Sequence, residues 1–363
     1  MRNHIIKAEE VFLKDELPFL VDVRSPGEFT KASIPGAVNI PLFSDEERAE
    51  VGITYKKEGV LESKLKGIKF FSPKIYPTAK EIIEKAGDKP VVFYCWRGGM
   101  RSKIMVKLFD FLGLNIYQLQ GGYKAYRRFI FDRLENYILK QRLIVLNGLT
   151  GTGKTEIIKR LSYRWPVINL EEMAGHRGSV FGNLGLVRPR SQKDFEALLW
   201  HSLYRFRDES FIIIEGEGRR IGPLFTPYFL TKGIKEGVHI LLQASLETRT
   251  NRILKEYGKT EKELLIEQAA EPIRYLERKL GSEKVSYMLE LLYEGDFYKV
   301  VKTLCRDHYD WKYAESKIGV NDFELIVNAQ DIGDAVEEIE KYIKKRLDEK
   351  QPLFITGGNN ESI

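Results

Sequence analysis

Cysteine is scarce. Only Cys95 and Cys305 occur among 363 residues, which excludes a disulfide framework and points to a reducing compartment. Long apolar runs are missing too. No stretch reaches the length that spans a bilayer, and Met1 to Glu10 lacks the apolar core of a secretory signal. These absences predict a cytoplasmic protein with no membrane partner. Neither sign of charge dominates: 58 basic against 52 acidic residues leave a formal net charge of +6, which is weak evidence alone for a nucleic-acid partner. There is no internal repeat and no low-complexity tract. What remains is an ordinary globular composition, 43% apolar, with the length of two domains. We place them at 1–133 and 134–348, followed by a flexible, polar tail at 349–363.

The first domain is organised around Tyr94-Cys95-Trp96-Arg97-Gly98-Gly99-Met100-Arg101-Ser102. The apolar run Val91 to Tyr94 reads as a buried strand. After the loop, Met100, Ile104, Leu108 and Leu112 recur at helical spacing as one face. Cys95 therefore sits on a tight turn from strand to helix. The glycines let successive N–H groups point at one spot, at a helix N-terminus where negative charge is favoured. Arg97 and Arg101 add charge-assisted donors. A buried structural cysteine is the bland alternative, and the Gly-Gly turn with two arginines argues for a reactive one. Further strands are expected at Phe19–Val23, Ile34–Pro41 and Asn115–Leu119, with a helix at Thr78–Ala86. Strands alternating with helices imply a parallel sheet whose site lies at the strand carboxyl ends. The charged stretch Asp45 to Phe71 reads either as a solvated excursion or as a substrate or interdomain contact.

These residues resemble the rhodanese family over about 125 residues. The likeness rests on Asp22-Val23-Arg24 with Glu28-Phe29, on Ile34-Pro35-Gly36-Ala37 with Asn39-Ile40-Pro41, on the Cys95 loop and on Gly121-Gly122. It implies that Cys95 is a sulfur- or selenium-carrying nucleophile. Two features depart from the family: Ala32-Ser33 stands where Gly-His is common, and the loop is Cys-x5-Arg, one residue longer than in the usual sulfurtransferases. A wider cradle suits a tetrahedral ligand such as phosphate or selenophosphate. Cysteine phosphatases share this spacing, but carry His where Tyr94 stands, and no Asp general acid is assignable.

In the second domain a basic helix, Tyr123 to Lys140, leads to the strand Arg142–Asn147 and then to Gly148-Leu149-Thr150-Gly151-Thr152-Gly153-Lys154-Thr155. This is a P-loop in its proper context, strand before and helix after. Gly148, Gly151 and Gly153 let the backbone cradle a diphosphate, Lys154 supplies a point charge, and Thr155 can ligate Mg²⁺. The apolar strand Phe211–Glu215 ends in the carboxylate expected on the metal side, making Glu215 the second Mg²⁺ residue, with Glu217 the fallback. Val238–Gln243 is another strand. Ser191 and Asp194 open a helix carrying Phe195, Leu198, Leu199 and Phe206. Arg219 and Arg220, just past the acidic strand end, are read as phosphate-binding, and the His176-Arg177-Gly178-Ser179 and Arg188-Pro189-Arg190 loops as edging the substrate site. Arg249 and Arg252 either clamp phosphate, as in small-molecule kinases, or lie on a solvated helix face. Arg274, Arg278 and Lys279, near Tyr275 and Tyr287, either hold RNA or belong to a salt-bridged helix; with Arg127 and Arg128 they are the expected tRNA-binding residues. Asp331–Arg346 forms a closing amphipathic helix.

The pairing of a rhodanese module with a P-loop module, together with His176-Arg177-Gly178-Ser179, Glu215-Gly216-Glu217 before Arg219-Arg220, and His308-Tyr309-Asp310, resembles the tRNA 2-selenouridine synthase family from about residue 5 to about 345. The resemblance implies an α/β chain: a rhodanese-like parallel-sheet domain, then a P-loop NTPase-like α/β domain with a helical C-terminal segment. It implies a transferase that geranylates a wobble 2-thiouridine with geranyl diphosphate and then exchanges the geranylthio group for selenium from selenophosphate. Cys95, Arg97, Arg101 and Lys154 would then be the catalytic residues, and tRNA, selenophosphate and a prenyl diphosphate the partners. A P-loop kinase with a regulatory rhodanese or phosphatase-like domain stays open as the alternative.

Overall fold

The computed structural model describes residues 4–175, 190–257, 261–310 and 323–348. The chain divides into two compact units: residues 1–136 with 191–201, and residues 137–190 with 202–363.

Unit 1 is a five-stranded parallel sheet in the order β1-β5-β4-β2-β3. Its strands are β1 (Ile5–Ile6), β2 (Phe19–Asp22), β3 (Val38–Asn39), β4 (Val91–Tyr94) and β5 (Ile116–Leu119). Its helices are α1 (Ala8–Phe12), α2 (Pro26–Lys31), α3 (Asp45–Lys57), α4 (Val60–Phe71), α5 (Ile75–Ala86), α6 (Met100–Phe109) and α7 (Gly122–Glu135). β4 is central and fully buried, as a strand covered on both faces must be. Ile34–Pro41 forms only the short β3. The rest turns at Gly36, whose φ is 77°, where Ala37 N–H donates to Ile34 C=O. The Asp45–Phe71 stretch is a helical pair. Ser44 caps α3 by accepting from Glu47 N–H, and α4 turns its small residues Ser63 and Gly67 inward; a Cβ on Gly67 would meet the Phe43 ring at 3.1 Å.

Unit 2 holds a second parallel sheet, β12-β11-β6-β8-β7. Its strands are β6 (Arg142–Gly148), β7 (Val167–Ile168), β8 (Phe211–Glu215), β11 (Val238–Gln243) and β12 (Leu325–Asn328), with a small antiparallel pair, β9 (Arg220–Ile221) and β10 (Leu224–Phe225). The helices are α8 (Lys154–Leu161), α9 (Leu170–Ala174), α10 (Gln192–Arg205, whose first ten residues belong to unit 1), α11 (Tyr228–Lys235), α12 (Leu246–Tyr257), α13 (Lys262–Arg274), α14 (Glu277–Leu280), α15 (Ser282–Glu294), α16 (Phe297–Leu304) and α17 (Ile332–Asp348). Ile212, Ile213 and Ile214 on β8 are wholly buried, each worth about 1.5–3 kcal/mol of apolar burial. Helices α12 to α16 pack around their own apolar core, from Ile253 to Tyr309. Among the described residues no helix is long and apolar enough to cross a membrane.

Candidate active site

Unit 1 places Cys95 immediately after β4, at the carboxyl edge of the sheet. Its Sγ accepts from Gly99 N–H at 3.2 Å and lies 3.3 Å from Ser102 Oγ. The loop's carbonyls are bound by neighbours. Tyr123 N–H donates to Cys95 C=O at 2.9 Å and Lys124 N–H to Trp96 C=O at 3.0 Å, both from the first turn of α7. Gln118 Nε2 donates to Gly98 C=O at 2.7 Å and to Gly99 C=O at 3.2 Å. The N–H groups of Trp96, Arg97 and Gly98 meet no acceptor among the described residues, so they are the loop's unspent polar atoms, the make-up of an anion cradle. This closeness requires glycine: a Cβ on Gly122 would meet Cys95 O at 2.1 Å and Gly98 N at 2.4 Å.

The two arginines of the loop differ. Arg97 is exposed and forms no hydrogen bond or ion pair among the described residues. Arg101 grips Glu28 through Nη1 at 2.6 Å and Nη2 at 3.3 Å, and Arg48 of α3 reaches the same carboxylate at 3.1 Å. Burial alone would raise the Glu28 pKa, but Arg101, the Ser25 backbone and Arg48 overcome it and hold it at about 2. Of the helical face expected from Met100, Ile104, Leu108 and Leu112, only Leu108 and Leu112 pack against the core, partly buried. α6 buries Ser102, Met105, Val106 and Phe109, while Met100 and Ile104 are 52% and 38% exposed. In that phase Ser102 faces the sulfur. Behind the loop, buried Arg24 is fixed by Asp22 and stacks over Tyr123, with its guanidinium carbon 4.5 Å from the ring centre.

In unit 2 the P-loop joins β6 to α8, with Gly151 and Gly153 at φ 83° and 92°. Lys154 Nζ spans it, donating to Gly148 C=O at 2.5 Å. Thr155 Oγ1 lies 3.3 Å from a Glu171 carboxylate oxygen, and Glu171 N–H donates to Glu215 Oε2 at 2.9 Å. Glu215 is wholly buried and its Oε1 has no hydrogen-bond partner among the described residues. Burial, and then the charge of Glu171, push its pKa well above the carboxylate range. A buried, orphaned carboxylate oxygen, linked through Glu171 to the Thr155 hydroxyl, fits a hard, oxygen-seeking cation such as Mg²⁺, which keeps few protein ligands and completes its shell with water and phosphate. Glu171 went unrecognised in the sequence, because only the β8–β7 neighbour relation brings α9 to Thr155.

Arg249 is buried rather than on a solvated helix face, Arg252 is half-buried, and both are engaged on carbonyls of their own unit. Arg249, 2% exposed, donates through Nε to Thr150 C=O at 2.8 Å and through both terminal nitrogens to Asp310. Arg252 binds Thr152 C=O at 2.8 Å and Gln330 C=O at 2.9 Å. Both shape the loop from behind. Cys305 is buried, and burial lifts its thiol to about 11, a structural thiol.

Of the other expected residues, Arg219 is exposed, and Arg220 is bonded to Gly222 C=O and faces Phe225 in its own hairpin. Arg127 is spent on Glu196 at 2.6 Å and on Lys193 C=O. Arg128 is 84% exposed. Arg274 donates to Tyr293 Oη, and Arg278 and Lys279 are exposed. His176, Arg177, Gly178, Ser179, Arg188 and the 349–363 tail lie outside the described residues.

The family model described as rhodanese-like domain matches residues 8–129, and the one described as tRNA 2-selenouridine synthase AAA domain matches residues 141–319. A relative from Sulfurovum sp. (strain NBC37-1) named tRNA 2-selenouridine synthase is 32% identical over 360 residues, covering 90% of this chain and 94% of its own length. Another of that name, from Pseudomonas putida (strain W619), is 30% identical over 376 residues, covering 95% and 100%. A third, from Nitrosomonas europaea, is 35% identical over 243 residues, 66% of this chain and 63% of that relative.

Proposed function

The chain belongs to the tRNA 2-selenouridine synthase family, and from that premise we propose that it converts a wobble 2-thiouridine of tRNA to 2-selenouridine in two transfers. In the first, the thione sulfur attacks C1 of geranyl diphosphate. The S–C bond forms, the C–O bond breaks, diphosphate leaves with the electron pair, and the base loses its N3 proton. The P-loop N–H groups and Lys154 stabilise the departing charge. Thr155 and Glu215, with Glu171 beside them, would hold Mg²⁺, whose chemistry there is to neutralise the diphosphate. In the second, selenium from selenophosphate adds at C2 of the base and geranylthiolate leaves, taking a proton as the thiol; water takes the phosphoryl group as phosphate, and N3 of the base takes back a proton from solvent. Cys95, in its N–H cradle, carries or positions the selenium donor.

The observation that carries this reading is that one chain holds two different anion cradles, one presenting a thiol and the other a lysine. The kinase alternative is disfavoured because the family model and the relatives that cover most of this chain carry the name tRNA 2-selenouridine synthase. Exposed Arg128, Arg278 and Lys279 remain as candidates for the tRNA backbone. Nucleoside mass spectrometry of 2-thiouridine tRNA, with geranyl diphosphate and selenophosphate omitted in turn, tests the reading. Geranylthiouridine without selenophosphate, and selenouridine only with both, is the expected result. Selenouridine formed without geranyl diphosphate would overturn the order of steps.

A further inference from the structure

Trp96 follows Cys95 directly, yet it is 40% exposed on a loop whose cysteine is 3% exposed. Its ring is backed rather than loose. Tyr123, itself buried, lies 5.6 Å from it at an interplanar angle of 32°, and Arg24 lies 5.9 Å from its centre. Arg24 is in turn locked by Asp22 and by Ala32 C=O. The Trp96 carbonyl is pinned by Lys124 N–H. A large planar ring is thus held with one side supported and part of its surface open, next to the nucleophile.

Exposed cations flank it on the loop and on the first turns of α7. The Arg97 and Lys124 side chains are exposed and unpaired among the described residues. Arg128, one turn beyond Lys124 on α7, is 84% exposed and meets only Asp132, at 3.7 Å. An open aromatic beside unpaired cations is the pattern that holds single-stranded nucleic acid: bases stack on the ring and phosphates meet the cations. Resting on the assignment of Cys95 to chemistry on a tRNA base, we propose that Trp96 is the stacking platform that presents the target nucleobase to Cys95, with Arg97, Lys124 and Arg128 taking the adjoining phosphates. A protein partner would have no reason to discriminate the presence of one base, and this separates the two.

The test uses the full chain and a synthetic anticodon stem–loop RNA with 2-thiouridine at the wobble position, compared with the same RNA abasic there. Trp96→Ala should weaken binding of the thiouridine RNA by about fivefold to a hundredfold, the range of one base–aromatic stack. Trp96→Phe should retain most of the affinity. Wild type should lose a similar factor on the abasic RNA, where Trp96→Ala costs nothing further. Alkylation of Cys95 by iodoacetamide at an unchanged rate shows the loop intact. Equal binding of the thiouridine RNA by wild type and Trp96→Ala, an equal loss on abasic RNA, or no binding of the stem–loop by wild type overturns the platform. If the stacking signature holds but the wild type makes no selenouridine, the platform stands and the assigned reaction fails.

Discussion

Asp310 holds both terminal nitrogens of Arg249, at 2.6 and 3.0 Å, while the Nε of the same guanidinium donates to the Thr150 carbonyl of the P-loop. The shape of the phosphate loop thereby depends on a carboxylate just beyond α16. Arg249 is buried, so removing its partner leaves charge uncompensated. Asp310 is itself 32% exposed, which moderates the cost to on the order of 2 kcal/mol. Asp310→Asn should lower the thermal midpoint and weaken pyrophosphate binding measured by calorimetry. Unchanged pyrophosphate affinity would mean that Arg249 does not govern the loop.

Cys95→Ser should abolish selenium incorporation and leave geranyl transfer largely intact. Cys95 is the thiol that sits in an N–H cradle, whereas Cys305 is buried with its thiol pushed up to about 11. Chromatography of nucleosides from the two half-reactions checks this. Selenouridine formed at the normal rate by the serine variant would remove Cys95 from selenium handling.

Lys154→Ala should do the reverse, slowing geranyl transfer while tRNA binding survives. Removing a preorganised cation beside developing charge commonly costs on the order of 10²–10³ in rate. Single-turnover geranylation measures the effect, and a rate equal to wild type would assign the P-loop to another ligand.

His201 contributes an acid sensitivity unrelated to chemistry. It is bonded to Tyr126 Oη at 3.0 Å, and burial lowers its pKa from 6.5 to about 4. Between those values the unfolded chain binds a proton that the folded chain refuses. Stability therefore falls as pH drops from about 6.5 to about 4 and levels off below, by on the order of 3 kcal/mol in total. His201→Phe should flatten the acid limb of the thermal-midpoint profile over that window. An acid limb as steep as in wild type would show that other groups cause it.

Elements whose signal is local were legible. β4, β8 and β11 run over the residues expected of them, and both loops follow strands as their glycines require. Where the signal was periodic but shared by two faces, the reading failed: Met100 and Ile104 have the spacing of a core stripe, yet α6 turns them outward. The Asp45–Phe71 helices were hidden because α4 packs through Ser63 and Gly67 as well as Phe71 and leaves Leu61, Leu65 and Ile68 exposed, which blurs the ordinary amphipathic pattern.

By itself, the sequence determined the two modules, the thiol on one loop and the lysine on the other, because each rests on neighbouring residues and glycine's freedom at positive φ. The tertiary structure alone decided which charges are available. Arg101 is held by Glu28, Arg127 by Glu196 and Arg249 by Asp310, while Arg97 stays open. Those partners lie on other elements. Whether an arginine meets a ligand or a carboxylate depends on strand order and helix phase, which distant side chains set through packing.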